Sequence, residues 1–396
     1  MTRPLLSRRQ LSLLILFLPG LILLLTLLGP VQDTTSADWQ ADESRRIYQH
    51  PLPQQTDYRL HLLLPTPLAD SNATELEQRL LLAALQQRLS SAEIRHDWQQ
   101  RMGALPKLHL RPGYLLLELN LEQAPNPDEL ALLLQQLQQP AQLEWAQQLQ
   151  RVQAQHYLLR QEAEIWLKSQ FPGTAQALTQ TDPVRAYHQW LQPHRWRLTL
   201  TGPEPIALTL PSIAPDAGPV PTAPPLTLNV LPLTPPTPPA PLQLHRWPLP
   251  AISSADHFAL SLLARESLRL QLSAWLAQQP PNVQAGFSLN WTPALPQGRA
   301  TLIVQGKHWP PVRTWLPAAL THADLAAARA AVQQQLTQPN QQQAWADLLA
   351  LHQLPADTLA QLPDRLAAIS HADLQHWLQP LLESDYYHTL SLPALP

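Results

Sequence analysis

A proline-dense stretch divides this chain into two parts. Prolines recur at short intervals between Pro203 and Pro241, and the densest part reads Pro-Pro-Thr-Pro-Pro at 235–239. Proline has no backbone N–H and a fixed φ, so neither a helix nor a central strand can cross this stretch. We predict a stiff, largely polyproline-II linker over 204–241, within which the apolar residues 226–233 form at most an edge strand.

The N-terminus has the pattern of a membrane segment. An uncharged apolar run extends from Leu11 to Leu28. It follows the three arginines Arg3, Arg8 and Arg9. That length approaches the roughly 18–20 residues that span a bilayer and exceeds the roughly 7–15 of a secretory h-region. We therefore favour an uncleaved signal anchor over residues 1–30. A signal peptide cleaved after the small residues 35–37 and a buried globular helix are the alternatives.

The charges around that segment predict where the body lies. Arginines before an apolar segment keep the N-terminus in the cytoplasm. The chain is then single-pass in the inner (plasma) membrane with an extracytoplasmic body, periplasmic in a Gram-negative cell. Residues 31–56 are polar and mixed, and we interpret them as a tether.

Composition excludes several classes of protein. The chain has no cysteine, which removes disulfides, thiolate metal sites, iron–sulfur clusters and cysteine nucleophiles together. A net charge of −3 with 14% charged residues leaves no basic footprint for nucleic acid. Glycine-rich phosphate loops and the strand-turn-helix elbow of serine hydrolases are also missing from the sequence.

The two parts of the chain contain a similar phrase. Residues 188–193 read His-Gln-Trp-Leu-Gln-Pro and residues 375–380 read Gln-His-Trp-Leu-Gln-Pro, each after a helical pattern and before a strand-like run. This matched position favours an internal duplication over chance. We place the first half at 57–203 and the second half at 242–396.

Each half has the same predicted order of elements: strand, helix, strand pair, helices, strand. In the first half we expect one helix over 143–168 and another that begins with Thr181, Asp182 and Pro183. In the second half, residues 321–324 and 370–373 each match a helix-capping box. The predicted fold class is α+β, with helices on one face of a mostly antiparallel sheet in each half.

At this point the chain resembles the pitrilysin/insulinase-type metallopeptidases. The resemblance covers about residues 57–393 and depends on the duplicated order of elements, on the phrases at 320–329 and 369–380, and on the closing strands. It implies two halves that face each other across a chamber, as in a clamshell. It also implies a possible partner, because active relatives often pair a catalytic with a non-catalytic subunit.

The zinc signature of that family is missing. The family carries H-x-x-E-H on the first long helix of the first half. The best register places Thr74 and Gln78 at the two zinc-ligand positions and leaves Glu77 as the relic of the general base. Glu162 and Glu164 lie roughly where the third ligand is expected, but without histidines they are better read as surface residues. The substrate-holding Arg and Tyr implied for the second half are absent from 276–285.

Other candidate sites are few. No two histidines are three or four residues apart, the spacing with which one helix face binds a metal ion. Most tryptophans fall in helical patterns and are expected in the core. Trp291, Trp309 and Trp315 lie near proline-rich turns, and we predict that they form a partner surface.

These observations lead to three hypotheses. The first is a membrane-anchored, non-catalytic pitrilysin-like protein without cofactor, which acts as partner subunit, tether or scaffold for extended polypeptide at its sheet edges. The second is a zinc-dependent peptidase with a divergent metal site, for which Glu77 is the argument. The third drops the family and leaves an envelope scaffold with two α+β modules and a proline-rich spacer.

Overall fold

The computed structural model describes residues 38–69, 71–138, 144–170, 179–210, 224–230, 233–280, 285–307 and 309–394. The predicted membrane anchor therefore lies outside the described residues. No helix within the described ranges has the length and apolar character needed to cross a membrane. The two sheets described below belong to one compact unit that begins at Asp38.

The first sheet has six strands in the order β1-β2-β7-β3-β5-β4. Neighbouring strands are antiparallel except β2 and β7, which run parallel. The strands are β1 Gln40–Ala41, β2 Ile47–Pro51, β3 Tyr58–Pro65, β4 Lys107–Arg111, β5 Tyr114–Leu121 and β7 Arg197–Gly202. Strands β1 and β2 fall within the stretch that we interpreted as a tether, so ordered structure begins before Asp57.

Helices cover one face of this sheet because its strands alternate. Leu60, Leu62 and Leu64 of β3 are fully buried and form a core with leucines of the helices, since alternate side chains of a strand point to one face. The helices of this part are α1 Asn72–Ser90, α2 Ala92–Met102, α3 Pro127–Leu137, α4 Trp145–Leu159, α5 Ala163–Ser169 and α6 Pro183–Trp190.

Two helix boundaries in the first half differ from prediction, whereas a predicted helix start in the second half agrees with it. The helix predicted over 143–168 is two helices, α4 and α5, because the chain turns at 160–162 to bury Arg160. Helix α6 is capped by Asp182, whose carboxylate accepts from the backbone of Val184 and Arg185, whereas Thr181 ends a short strand. The capping box at 370–373 is confirmed.

The second sheet has four antiparallel strands in the order β10-β11-β9-β12. These are β9 Leu242–Leu249, β10 Gly286–Thr292, β11 Gly298–Gln305 and β12 His388–Leu392. The helices of this part are α7 Ala255–Ala277, α8 Val312–Thr321, α9 Leu325–Leu336, α10 Pro339–His352, α11 Leu362–Ala368 and α12 His371–Glu383. Thr321 ends α8 instead of capping the next helix, and Asp324 caps α9.

The proline-rich linker contributes one small strand. Residues Leu226–Leu228 form β8, which pairs antiparallel with β6, Thr179–Thr181. Leu228 is buried against Leu76 of α1 and Leu149 of α4. The described part of the linker thus packs on the first half as an edge strand, as the apolar stretch 226–233 predicts.

The second face of each sheet is covered by a helix from the other part of the chain. Helix α10 contacts β2, β3 and β7 of the first sheet, and α5 contacts β9 and β12 of the second. The prediction of helices on only one face is therefore wrong. The exchange of helices joins the two sheets directly.

Candidate functional site

Helix α1 carries the positions at which the family resemblance places its metal site. The helix starts at Ser71, whose hydroxyl accepts the Thr74 N–H at 3.1 Å. Leu76, Leu80 and Leu81 anchor it to the body because they recur at helical spacing and are buried. Thr74 and Gln78 lie one turn apart on the same side, and both are half-buried.

The polar side chains at these positions are engaged with their neighbours. The hydroxyls of Thr74 and Ser71 are 2.8 Å apart. The Gln78 amide donates to the carbonyl oxygen of Pro67 at 2.7 Å. The Glu77 carboxylate accepts from the hydroxyl of Thr181. All three side chains hold the start of α1 to adjacent segments.

This arrangement does not fit a zinc ion. Proteins hold zinc with thiolate, imidazole and carboxylate ligands, and a catalytic site needs three of them. A threonine hydroxyl and a glutamine amide that already donates leave Glu77 as the one suitable ligand. Among the residues that the structure describes, no group of three or more His, Asp and Glu residues is placed to hold a metal ion.

The candidate third ligands lie on the surface, as the sequence suggests. Glu162 is exposed at the start of α5, where its carbonyl accepts the Trp166 N–H at 2.8 Å. Glu164 is also exposed and lies 3.9 Å from the Lys168 ammonium one turn on. Of the segment 276–285, residues 281–284 lie outside the described residues.

A half-buried charged cluster on the neighbouring face of α1 was missed in the sequence. Glu75 accepts two hydrogen bonds from Arg79, at 2.9 and 2.7 Å, and its second oxygen lies 3.7 Å from Nε2 of His156 on α4. Burial opposes ionisation of Glu75, but His156 and Arg79 outweigh it and hold its pKa at about 2. The i, i+4 spacing of Glu75 and Arg79 was the available signal.

A second polar network joins the first sheet to α10, and we call it the polar seam: His61, Thr199, Gln343 and Asp347. All four side chains are buried. The Asp347 carboxylate is 2.9 Å from Nδ1 of His61 and accepts from the Thr199 hydroxyl at 2.6 Å. The Gln343 amide donates to the Thr199 oxygen at 2.6 Å. A buried carboxylate is tolerated here because it is fully hydrogen-bonded.

The contact between α5 and the second sheet has different chemistry, and we call it the apolar seam. Leu167 of α5 is buried among Leu242, Leu244, Ile303 and Leu392. Ala163 and Trp166 pack at the edge of this cluster. Burial of these apolar side chains stabilises the contact of this helix with its sheet.

The two seams correct the expectation of a chamber between the halves. The resemblance implied two halves that face each other across a cavity. In the described residues the two sheets are instead tied together by α10 and α5, with side chains that are 0–8% exposed in the polar seam.

Two of the three tryptophans predicted to form a partner surface contact the body itself. Trp309 is 8% exposed, stacks on Trp275 at 3.9 Å between ring centroids, and donates to the Gln305 carbonyl. Trp291 is half-buried, and its indole N–H donates to Ser261 at 2.9 Å. Trp315 on α8 is also half-buried. Trp309 therefore offers a partner little surface.

Known proteins resemble this chain in fold but not in sequence. No protein-family model matches the sequence, and no curated protein matches it significantly. Solved structures do match. The peptidase M16 inactive domain from Pseudomonas fluorescens superposes with a TM-score of 0.58 at 12% identity, over 90% of this chain and 98% of that one. A protease from Helicobacter pylori gives 0.56 at 12% identity, over 90% and 99%.

A third structure is itself part of a longer enzyme. The first half of the periplasmic protease PqqL from Escherichia coli matches with a TM-score of 0.52 at 13% identity, over 91% of this chain and 94% of that half. The chain therefore has the fold of M16-type peptidases, the insulinase/pitrilysin-like class. The fold-level resemblance inferred from the sequence is confirmed.

Proposed function

We propose that this chain is a non-catalytic M16-fold subunit that works as partner or scaffold in the cell envelope. The observation that carries the proposal is the start of α1. In the register expected from the sequence, Thr74 and Gln78 take the two zinc-ligand positions, and both side chains are bonded to neighbouring groups of the chain. A site with one carboxylate and no imidazole does not retain catalytic zinc.

The extent of the fold match supports a second M16-fold body. This chain covers 94% of the first half of PqqL and 98% of the Pseudomonas inactive domain. It is thus the size of one half of a two-half peptidase. A second M16-fold chain that carries an intact H-x-x-E-H motif would complete the chamber, and this chain would hold it or hold extended polypeptide beside it.

Strand order supports the duplication within the chain. The first sheet contains the run β7-β3-β5-β4, and the second sheet has the corresponding run β12-β9-β11-β10. In the first sheet, β3 lies between β7 and the hairpin of β4 and β5. In the second sheet, β9 lies between β12 and the hairpin of β10 and β11. Two homologous α+β halves joined by the proline-rich linker are the simplest origin of this match.

The sequence of the N-terminus supports the location. The uncharged run over 11–28 after Arg3, Arg8 and Arg9 is typical of a signal anchor. The body would then lie outside the inner membrane, tethered to it.

A zinc-binding experiment tests the loss of catalysis. The full-length protein is purified in detergent, loaded with zinc, and its metal content is measured beside the double variant Thr74→His/Gln78→His. We expect zinc in the double variant alone, because two histidines at i, i+4 face one ion. Zinc in the unchanged protein, lost together with peptidase activity in Glu77→Gln, would make the chain a peptidase with a divergent site.

A further inference from the structure

The two ends of the first sheet differ in charge. Strand directions define these ends: β2 and β7 begin where β3 and β4 end, because β7 is parallel to β2 and antiparallel to β3. Arg46 precedes β2, Arg197 begins β7 and Arg111 is the last residue of β4. These three arginines, together with Arg45 and Arg195, form what we call the basic end.

The opposite end, which we call the acidic end, has an excess of carboxylates. Four exposed carboxylates lie beside the strand termini there: Asp38, Asp57, Glu122 and Glu204. The cations Arg59 and Lys107 belong to the same end. Strand β3 has eight residues, so the two ends lie about 25 Å apart, roughly three Debye lengths at physiological salt. A charged surface close to one end therefore acts mainly on that end.

Three guanidinium groups of the basic end meet at one turn, residues 193–196. Arg46 donates to two carbonyl oxygens of this turn, at 3.0 and 3.2 Å. Arg197 donates to the carbonyl oxygens of residues 194–196 at 3.0–3.1 Å. Arg195 donates to the Pro65 carbonyl at the end of β3, at 2.8 Å. Backbone carbonyls carry no net charge, so these bonds fix the arginines in place without neutralising them.

Positive charge exceeds negative charge at the basic end. Arg45 and Arg111 are exposed, and the three arginines at the turn are half-buried. Asp42 and Glu43 lie in the loop before β2, so the five arginines face two carboxylates there. Burial, followed by the charges of the three converging arginines, lowers the pKa of His194. The basic end is therefore a compact cationic surface on a chain whose net charge is −3.

The length of chain before the described residues allows either end to reach a membrane. Asp38 follows Leu28, the last residue of the apolar run, by ten residues. Ten residues extend to at most about 36 Å, which exceeds the length of the first sheet. Charge then selects the orientation, because anionic headgroups attract arginines and repel carboxylates.

We propose that the basic end of the first sheet contacts the anionic phospholipid headgroups of the membrane in which the chain is anchored, with the acidic end turned away from the bilayer. This inference rests on the signal anchor of the proposed function. It gives the body one orientation on the membrane, so that every copy presents the same surfaces to a partner chain.

The test measures how close each end lies to the bilayer. The chain has no cysteine, so His194→Cys and Gln123→Cys each give the full-length protein a single exposed labelling site, at the basic and the acidic end. Each labelled protein is inserted into lipid nanodiscs, and energy transfer to an acceptor on the lipid headgroups is recorded. The discs contain phosphatidylcholine alone or phosphatidylcholine with phosphatidylglycerol.

We expect anionic lipid to act on the two labels differently. Transfer from position 194 should rise at least about twofold when phosphatidylglycerol is added, whereas transfer from position 123 should not rise. The increase should disappear at about 1 M salt, where the Debye length is about 3 Å. Equal transfer from the two positions in anionic discs, or an increase that persists at this salt concentration, would overturn the proposal.

Variants identify the charges responsible. Arg45→Gln/Arg111→Gln removes two exposed charges of the basic end without changing the turn at 193–196, and it should reduce the increase at position 194 by about half. The matched control Arg95→Gln/Arg101→Gln removes two exposed arginines of α2 and should leave the increase unchanged. The same loss in both double variants would show that net charge, and not the basic end, causes the effect.

The anchor is tested separately in neutral discs. At about 1 M salt the full-length protein should still elute with discs of phosphatidylcholine, because an apolar segment holds it there without charge. Release from these discs would contradict the anchor of the proposed function and this inference with it. Retention together with equal transfer from the two labels would contradict this inference alone.

Discussion

The polar seam and the apolar seam perform the same task with opposite chemistry. In each, a helix from one part of the chain covers a sheet of the other. At α10 the contact depends on Asp347, which holds two side chains of the sheet. At α5 it depends on Leu167 among four buried aliphatic residues. Hydrogen bonds are directional, and the bonds of one network depend on each other. The stabilisation from apolar contacts instead decreases in proportion to the apolar area that is lost. The polar seam should therefore fix the position of its helix more strictly.

The largest effect is expected from Asp347→Ala. Removal of the carboxylate leaves His61 and Thr199 buried without their partner. The free energy of unfolding should fall by about 3–5 kcal/mol, as when one member of a buried pair is lost. Urea denaturation measures it. The double variant Asp347→Ala/His61→Ala should lose less than the sum of the two single losses, and strict additivity would contradict coupling across the seam.

Leu167→Ala breaks the apolar seam. Leu167 is 1% exposed, and truncation of a buried leucine should lower the free energy of unfolding by about 2–4 kcal/mol. Leu158→Ala is the matched control because Leu158 is 62% exposed, and it should change stability by less than about 0.5 kcal/mol. Equal losses in the two variants would show that α5 is not seated on the second sheet.

Thr199→Val measures the contribution of a single hydroxyl to the polar seam. Valine keeps the shape of threonine but removes the hydroxyl that donates to Asp347 and accepts from Gln343. We expect a loss of about 1–2 kcal/mol in urea denaturation, smaller than for Asp347→Ala because His61 still pairs with the carboxylate. Thr227→Val, at an exposed position of β8, should be nearly neutral.

The remaining prediction concerns acid. Burial lowers the pKa of His352, at the end of α10, from 6.5 to about 4. The unfolded chain therefore binds a proton more readily, so stability present above pH 6.5 is lost as pH falls towards 4. Denaturation curves between pH 7 and 4 should show a shallower decline for His352→Gln than for the unchanged protein. An identical decline would mean that this ring stays accessible to protons.

Local pattern predicted much of the fold. Strands β3, β5, β9 and β11 follow from alternation, and the long helices α1 and α7 follow from helical spacing of leucines. Strand β2 was missed because its five residues, Ile-Tyr-Gln-His-Pro, lack a clear alternation, and its parallel pairing with β7 is a long-range contact. Helix α2 was also missed, since its sequence is mostly polar.

The seams could not be predicted from local pattern. Gln343 and Asp347 belong to a glutamine-rich segment whose pattern predicts a solvent-exposed helix. They are buried because they contact two residues of the first sheet. His61 lies 286 residues before Asp347 in the sequence, and Thr199 lies 144 residues before Gln343. By contrast, the absence of an H-x-x-E-H motif can be read directly from the sequence, because that motif is local.

The central claim is that this chain is the non-catalytic member of an M16-type assembly. The direct measurement is purification of the full-length, C-terminally tagged protein in mild detergent, with mass spectrometry of the chains that co-purify stoichiometrically and zinc quantitation on the same sample. The account predicts an equimolar second M16-fold chain with an intact H-x-x-E-H motif, and zinc only in proportion to it. Recovery of this protein alone with about one zinc per chain would contradict the account.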